Sequence, residues 1–231
     1  MTDPGIDDDA LRAGHRARLR RRFLRAGPEA LADYELLELL LFGAQPRGDV
    51  KPLAKRLILR FGCYAEVIAA SVERLSAVDG LGEASIAALK IAQASAVKLL
   101  GDTLRSCPIL SNTPALLAYC RAALARLPVE EVRVLYLDRK NRLIGDEAHG
   151  RGTVDHTPLY PREVFKRALE LGASALIVVH NHPSGDPTPS SADIAATQQL
   201  RDAAAALGLV LHDHLIVARH GHVSLRERGL F

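Results

Sequence analysis

The sequence predicts two parts of different fold class: a small all-α region, followed by an α/β (α+β) domain with a mixed sheet and flanking helices. Residues 11–100 place apolar residues at helical spacing, with glycine and proline between the runs. Residues 101–114, GDTLRSCPILSNTP, break this pattern, and we expect a linker there. Over residues 115–231, apolar runs typical of strands alternate with helical runs, which indicates a single domain of ordinary size.

Composition sets limits on the class of protein. The 231 residues suffice for hydrophobic cores, and the net charge of +3 is too small to require a nucleic-acid partner by itself. Cys63, Cys107 and Cys120 are odd in number and far apart, so they fit neither a disulfide framework nor a thiolate zinc site. The N-terminus is acidic where a signal peptide is basic, and no apolar run reaches membrane-spanning length. We therefore expect a cytoplasmic protein with reduced thiols and no membrane partner.

The first predicted helix, Leu11–Arg25, is strongly basic. It contains no acid and seven arginines: Arg12, Arg16, Arg18, Arg20, Arg21, Arg22 and Arg25. On a helix, Leu19 and Phe23 would form only a narrow apolar seam. Two interpretations stay open. The arginines form a solvated face that offsets the acidic residues 1–10, which we expect to be disordered, or they form an arm that binds phosphate groups.

Further helices are predicted over residues 31–42, 50–61 and 64–70, and Leu36, Leu39 and Leu40 are expected to face the core. A helix–turn–helix pattern follows, with Gly80 and Gly82 at its turn. Paired glycines allow a tight turn that exposes backbone N–H groups at the next helix, which is an anion site. The pattern resembles a helix-hairpin-helix, a module that holds a nucleic-acid backbone without reading bases.

This interpretation has a competitor. Asp79 and Glu83 flank the turn and would repel phosphate, and an ordinary helical hairpin has the same pattern. Non-specific DNA is therefore an expected partner only if the hairpin is of the binding kind, with Gly80 and Gly82 at the contact.

The domain over residues 115–231 begins with a predicted helix and an alternating strand. In the strand PVEEVRVLYLD, Val132, Val134 and Tyr136 share a face with Glu130, whereas Glu131 lies on the opposite face. The helices are predicted over 115–127, 160–172 and 192–207, and the other strands over 143–153, 175–181, 209–218 and 223–225.

The central stretch of this domain joins a strand to a helix. The apolar run Ala175–Val179 is typical of a strand buried on both faces. His180 and His182 follow it two residues apart, so their imidazoles point to one side at a separation of roughly 6–7 Å. After a turn rich in proline and glycine, Asp193 at a helix start could supply an oxygen ligand. Two histidines, one carboxylate and an open fourth position are typical of a catalytic zinc site.

A purely structural interpretation of the same residues exists. Ser190 and Asp193 fit a capping box, Ser-x-x-Asp, that only starts a helix, and histidines at a strand end can be solvated. The combined context of strand, turn and helix favours the metal. His212 and His214 are expected to share one strand face, but the acid nearest to them, Asp213, would point to the other face. We expect the remaining histidines to lie around the site or on the surface: His149, His156, His212, His214, His220 and His222.

These residues carry a resemblance to a known family. The pattern His-x-His, seven residues, Ser, two residues, Asp is similar to the JAMM (MPN+) metalloprotease motif, and the string HNHPSG…PS..D resembles the RadC family of bacterial proteins. The likeness extends from about residue 15 to Phe231 and includes the strings Gly152-Thr153, Pro161-Arg162-Glu163-Val164 and Asp213-His214-Leu215. It implies a JAMM/MPN-like fold for residues 115–231, preceded by helices with a Gly-Leu-Gly turn.

The resemblance also implies a set of site residues. His180, His182 and Asp193 match the zinc ligands, and Ser190 matches the serine that helps to stabilise an oxyanion. The family also has a glutamate early in the first strand of the domain, which accepts the proton of the attacking water. Glu130 fits that place better than Glu131. Because the two acids are adjacent in the sequence, both stay open as the general base.

The implied activity is zinc-dependent hydrolysis of an amide or isopeptide bond in a protein or peptide substrate. Two other functions stay open. The chain could be a DNA-associated repair or recombination factor with a structural metal, or a nuclease in which activated water attacks a phosphodiester. Because every ligand and the acid are present, an enzyme is favoured.

Overall fold

The N-terminal helices form where apolar residues recur at helical spacing between glycines and prolines. A computed structural model describes residues 8–152 and 159–231, without the side chains of residues 8–13 and 151. Its first helices are α1 (Asp8–Ala26), α2 (Asp33–Ala44), α3 (Lys51–Phe61), α4 (Tyr64–Ala69), α5 (Val72–Ser76) and α6 (Glu83–Ser106). Of the tail predicted to be disordered, residues 1–7 lie outside the described residues. Asp8–Ala10 are helical, because acidic residues are favourable in the first turn of a helix.

The chain divides into two compact units, Met1–Ala94 and Ser95–Phe231. In the first unit, α2 turns Leu37, Glu38 and Leu41 into the core. Of the residues predicted to face inward, Leu40 is partly buried and packs against this core, whereas the prediction for Leu36 and Leu39 is wrong. The run LLELLLF offers two apolar helix faces, and packing against α3 selects one of them. The core of this unit joins α2 to α3, α5 and α6, with Leu53, Leu57, Leu75 and Leu89 at its centre.

The basic helix α1 is attached to the first unit. The Arg16 guanidinium donates to the carbonyls of Gln45, Pro46 and Gly48 at 2.8–3.0 Å, and the imidazole of His15 lies 2.7 Å from the buried carboxylate of Glu38. Within the expected apolar seam, Leu19 is buried but Phe23 is 37% exposed. The side chain of Arg12 is not among those that the structure describes. Five further arginines of the helix are exposed: Arg18, Arg20, Arg21, Arg22 and Arg25.

The turn between α5 and α6 contains the two glycines that the sequence singled out. Gly80 has a φ of 82°, a value that favours glycine, and the carbonyl of Gly82 accepts hydrogen bonds from the first turn of α6. Two arginines of α3 reach this turn. Arg56 donates to the carbonyl of Asp79 at 3.2 Å, and Arg60 donates to the carbonyl of Ala77 at 2.7 Å.

The predicted linker over residues 101–114 is wrong in its first half. Residues 101–106 complete α6, residues 109–111 form a 3₁₀ turn, and Thr113 begins α7. Gly101 does not end the helix. A Cβ at this position would lie 3.3 Å from the Tyr119 ring, so the glycine allows close packing within the second unit.

Helix α6 meets the length and composition criteria for a membrane-spanning helix, with a mean hydropathy of 1.2 over 18 residues. The expectation that no apolar run reaches this length is therefore wrong, because an alanine-rich helix with few charges also satisfies the criteria. A single helix of this kind is weak support for a membrane protein, since core helices of soluble proteins satisfy them as well.

The second unit contains a mixed sheet with helices on both faces, as the sequence predicted. In the described residues its elements are α7 (Thr113–Leu124), β1 (Glu131–Leu137), β2 (Leu143–Arg151), α8 (Pro161–Leu171), β3 (Ala175–Asn181), α9 (Ser191–Ala206), β4 (Val210–Ala218) and β5 (Gly221–Ser224). The strand order is β2-β1-β3-β4-β5, with β3 antiparallel to β1 and parallel to β4. Residue 153, at the predicted end of β2, lies outside the described residues.

Alternate residues of the strands form two cores on opposite faces of the sheet. On one face, Leu135, Ile177 and Leu215 pack with α7 and the end of α6. On the other, Val134 and Val178 pack with α8 and α9. Strand β3 is buried along its whole length, as the apolar run predicted. In α9, Thr197, Leu200 and Ala204 are buried, and Leu207, which follows the last helical residue Ala206, is 47% exposed.

Two helical glycines provide a test of this packing. Gly101→Ala should lower the midpoint of thermal unfolding, because the new methyl group displaces a Tyr119 ring that a hydrogen bond to Asp146 holds in place. Overpacking of this kind costs about 1–3 kcal/mol. The matched control is Gly43→Ala, since nothing lies within 4 Å of its Cβ position and alanine favours the helix by up to about 1 kcal/mol. An unchanged or raised midpoint for Gly101→Ala would contradict this account of α6.

Candidate metal centre

At the end of strand β3, two histidines lie close together at the edge of the core that contains Val134 and Val178. His180 is the sixth residue of β3 and is 1% exposed, whereas His182 follows the strand and is partly exposed. The backbone N–H of His182 donates to the carbonyl of Val217 at 3.1 Å, which keeps the chain extended past the end of β3. The two imidazoles therefore stay on one side, and their Nε2 atoms lie 3.0 Å apart.

The carboxylate of Asp193 completes this group from the first turn of α9. Its Oδ1 lies 3.4 Å from Nε2 of His180, and its Oδ2 lies 3.6 Å from Nε2 of His182. Each of the three residues thus offers one atom to a common point, with all three atoms within 4.8 Å of one another. His180, His182 and Asp193 form a group that could hold a metal ion, as the sequence predicted.

The capping box of α9 orients this carboxylate. The backbone N–H and the hydroxyl of Ser190 both donate to Asp193 Oδ2, at 2.8 and 2.7 Å, and Ser190 Oγ accepts the N–H of Asp193 at 3.1 Å. The predicted capping box is therefore present, and it is the device that points the third donor at the histidines. Ser190 contacts Asp193 directly, and its hydroxyl proton is engaged in that contact.

The ring orientation of His182 leaves its Nε2 without a proton. The Nδ1 atom of His182 lies 2.9 Å from the backbone carbonyl of Asp186, and because a carbonyl can only accept, Nδ1 must donate. Gly185 permits the turn that brings this carbonyl into place, since its φ is 95° and a Cβ would lie 3.1 Å from the ring of His220. A neutral His182 therefore presents a lone pair from Nε2 toward His180 and Asp193.

The electrostatics of the three residues differ. Burial lowers the pKa of His180 to about 4, so this imidazole is neutral near pH 7. The neighbouring Asp193 carboxylate raises the pKa of His182, because it stabilises the protonated imidazole. For Asp193, burial raises the pKa, but the contacts with the imidazoles of His182 and His180 and the hydrogen bonds from Ser190 outweigh it and hold the pKa well below its usual range. The site thus consists of two imidazoles and an ionised carboxylate.

The chemistry of these donors fits a small divalent metal ion. Two nitrogen lone pairs that face each other at 3.0 Å repel unless a cation or a proton lies between them. In a tetrahedral zinc site with bonds of about 2.0–2.2 Å, neighbouring ligand atoms are roughly 3.3–3.6 Å apart. The distances from the imidazoles to the Asp193 carboxylate, 3.4 Å to Oδ1 and 3.6 Å to Oδ2, have these values, and the 3.0 Å between the two Nε2 atoms is slightly shorter.

The two acids at the start of β1 point in opposite directions. Val132 pairs with His180 across the β1–β3 ladder, so the two side chains share a face. Glu130, two residues earlier, lies on this face, and its charge contributes to the raised pKa of His182. The carboxylate of Glu131 instead contacts the Arg133 guanidinium at 3.0 Å, on the opposite face.

Asn181, between the two histidines, holds the backbone on both sides of Glu130. Its side-chain Oδ1 accepts the N–H of Glu131 at 2.9 Å, and its Nδ2 donates to the carbonyl of Val129 at 3.1 Å. Asn181 is fully buried. Sequence reasoning gave it no role, although an amide side chain inside an apolar strand is a signal for a buried backbone contact.

The remaining histidines differ in burial and in the residues that they contact. His214 is buried and contacts His180, with His214 Nε2 2.8 Å from His180 Nδ1. The prediction that His212 shares its face is wrong, because β4 bulges where Ile177 pairs with Asp213, and His212 instead contacts Asn141. His149 lies in β2, within the predicted strand, and contacts Tyr136, and His156 lies outside the described residues. His220 and His222 are exposed as expected.

Comparison with known proteins agrees with this architecture. Residues 110–230 match the RadC-like JAB domain, and residues 13–87 match the UPF0758 N-terminal domain. A UPF0758 protein of Rhodobacter capsulatus is 60% identical over 212 residues, which cover 92% of this chain and 99% of that protein. A UPF0758 protein of Ruegeria pomeroyi is 56% identical over 215 residues, covering 93% of this chain and 96% of the relative.

These matches confirm the resemblance to RadC that the sequence motifs indicated, and the mixed sheet with flanking helices is consistent with a JAB/MPN-like fold. The chain belongs to the family that joins a UPF0758 N-terminal domain to a RadC-like JAB domain.

Proposed function

We propose that the C-terminal domain is a zinc-dependent hydrolase that cleaves an amide or isopeptide bond in a protein or peptide. The observation that carries this proposal is the convergence of His180, His182 and Asp193 on one point, with both imidazoles presenting Nε2. When bound, zinc supplies Lewis-acid activation of a water at neutral pH. Two imidazoles and a carboxylate leave a fourth position open for that chemistry.

In this proposal, Glu130 accepts the proton of the attacking water and passes it to the leaving amine. Its place on the His180 face and its electrostatic effect on His182 support this role, and the bond of Glu131 to Arg133 counts against Glu131. Ser190 first orients Asp193, and its hydroxyl would have to release that carboxylate in order to stabilise an oxyanion. A cytoplasmic location belongs to the same proposal and is supported by the three free cysteines.

A second candidate function, the holding of non-specific DNA by the N-terminal unit, is supported by the positions of its arginines. Arg18, Arg21 and Arg25 are exposed and spaced three or four residues apart, so they share one face of α1. Arg56 and Arg60 lie at the turn that contains Gly80 and Gly82, where they offset the acids Asp79 and Glu83. If the turn binds phosphate as a helix-hairpin-helix does, the alternatives of a DNA-associated repair factor or a metal-dependent nuclease gain support.

The first prediction concerns the metal. Purified protein should contain about one zinc per chain, and His182→Ala or Asp193→Asn should reduce the bound zinc strongly, as measured by atomic absorption after dialysis. The control is His222→Ala, since His222 is exposed and lies outside the donor group. Full zinc content in both variants would exclude this site.

The second prediction separates the two acids with zinc-loaded protein and a peptide or isopeptide substrate found by screening. Glu130→Gln should retain zinc but lower the turnover about 10²–10⁴-fold, because an amide cannot accept the proton. Glu131→Gln should change the turnover little, since this side chain bonds to Arg133. The opposite result would mean that Glu131 faces the metal, and equal small effects would remove the general-base mechanism.

The third prediction concerns nucleic acid. The full chain should bind duplex DNA without sequence preference, and the affinity should fall steeply with salt as counterions are released. Replacing Arg18, Arg21 and Arg25 with Gln should lower the slope of log affinity against log salt by roughly 2–3, about 0.9 per lost phosphate contact. Arg139→Gln with Lys140→Gln, an exposed pair in the second unit, is the control. Binding that is undetectable at low salt, or equal salt slopes for both variants, would exclude this function for α1.

A further inference from the structure

Behind the donor group, a chain of hydrogen bonds connects His180 back to α9. The hydroxyl of Thr197 lies 2.5 Å from the backbone carbonyl of Asp193 and 2.5 Å from Nδ1 of His214. Nε2 of His214 lies 2.8 Å from Nδ1 of His180. The three side chains that these hydrogen bonds connect are all buried. Their relative exposures are 0% for Thr197, 3% for His214 and 1% for His180.

The direction of the chain follows from its last acceptor. A backbone carbonyl has no proton to give, and two oxygen atoms do not approach to 2.5 Å without a proton between them, so the Thr197 hydroxyl donates to Asp193. A hydroxyl has one proton, and only its lone pairs are left for His214. Nδ1 of His214 must therefore carry a proton and donate to Thr197.

The same reasoning determines which nitrogen carries the proton in the rings of His214 and His180. A neutral imidazole carries one proton, so His214 with its proton on Nδ1 has a lone pair on Nε2. That lone pair accepts a hydrogen bond from His180, which places the proton of His180 on Nδ1. Nε2 of His180 is then free of a proton and points toward His182 and Asp193.

We propose that Thr197 and His214 are positioning residues that fix His180 in the tautomer able to bind a metal through Nε2. This inference rests on the proposed metal site and adds the residues that prepare one of its ligands. His182 reaches the same state through the Asp186 carbonyl directly. Asp193 thus contributes twice, with its side chain as a donor to the site and with its backbone carbonyl as the end of the chain that orients His180.

The alternative tautomer of His180 shows what the hydrogen bonds through His214 and Thr197 prevent. With its proton on Nε2, His180 would donate to Nε2 of His182 at 3.0 Å or to Asp193, and could not bind a metal through that atom. His214 and Thr197 would both have to reverse, which would leave the Asp193 carbonyl and the Thr197 oxygen in contact without a proton. Removing the Thr197 hydroxyl abolishes this preference while leaving every donor of the site in place.

Thr197→Val tests the inference because valine has the shape of threonine without the hydroxyl. The affinity for zinc, measured by competition with a chelator of known affinity, should fall about 10- to 100-fold, as is typical when a group behind a metal ligand is lost. Thr197→Ser restores a hydroxyl and should recover most of the affinity. The matched control is Thr103→Val, since the Thr103 hydroxyl also bonds to the carbonyl four residues earlier, Leu99, but contacts no histidine.

A second measurement needs no metal. In ¹⁵N-labelled metal-free protein, the ring nitrogen shifts of His180 and His214 should show a proton on Nδ1 of both, and Thr197→Val should convert this into a mixture of tautomers. Thermal unfolding of the same samples separates a tautomer effect from lost stability. A proton on Nε2 of His180 in the unaltered protein, or equal zinc affinity for Thr197→Val and Thr103→Val, would overturn the inference. Absence of zinc binding in the unaltered protein would instead overturn the metal site, while the nitrogen shifts would still decide the direction of the chain.

Discussion

The burial of His180 at the end of a strand covered on both faces is the constraint on which the rest of the candidate site depends. A buried imidazole has two nitrogen atoms that both require partners, and burial disfavours its charged form. One nitrogen is satisfied by His214 and, through it, by α9. The other must therefore meet a cation or a proton in the space that it shares with His182 and Asp193. The apolar core around β3 thus defines the chemistry at its end.

The same hydrogen bonds begin a helix and shape the donor group. Ser190 and Asp193 form the capping box of α9, and the two contacts from Ser190 aim the Asp193 carboxylate at the histidines. In the sequence, a capping box and a ligand set were competing interpretations of these residues. In the structure they are compatible, because a capping carboxylate has a second oxygen that remains available. Local signals for helix starts and for sites therefore need not exclude each other.

Much of the fold and the donor set followed from the sequence, because period and turn chemistry are local properties. The two-residue spacing of His180 and His182 and the alternation around Glu130 carried over directly, because both depend only on an extended backbone. Three features could not be foreseen. The bulge in β4 separates His212 from His214, the inward face of α2 depends on its neighbours, and Gly101 continues a helix because the Tyr119 ring packs against it. Each of these depends on residues distant in the chain.

The antiparallel pairing of β1 with β3 has a consequence for the order of events during folding. This ladder places Glu130 beside the histidines, and the contact that holds it, between Asn181 and Glu131, joins residues 50 positions apart in the sequence. Closing so long a loop costs chain entropy that only the assembled sheet can offset. A chain still leaving the ribosome has β1 well before β3 and α9 are made. Glu130 therefore joins the donor group only once β1 and β3 have paired, whereas His180, His182 and Asp193 lie close together in the sequence.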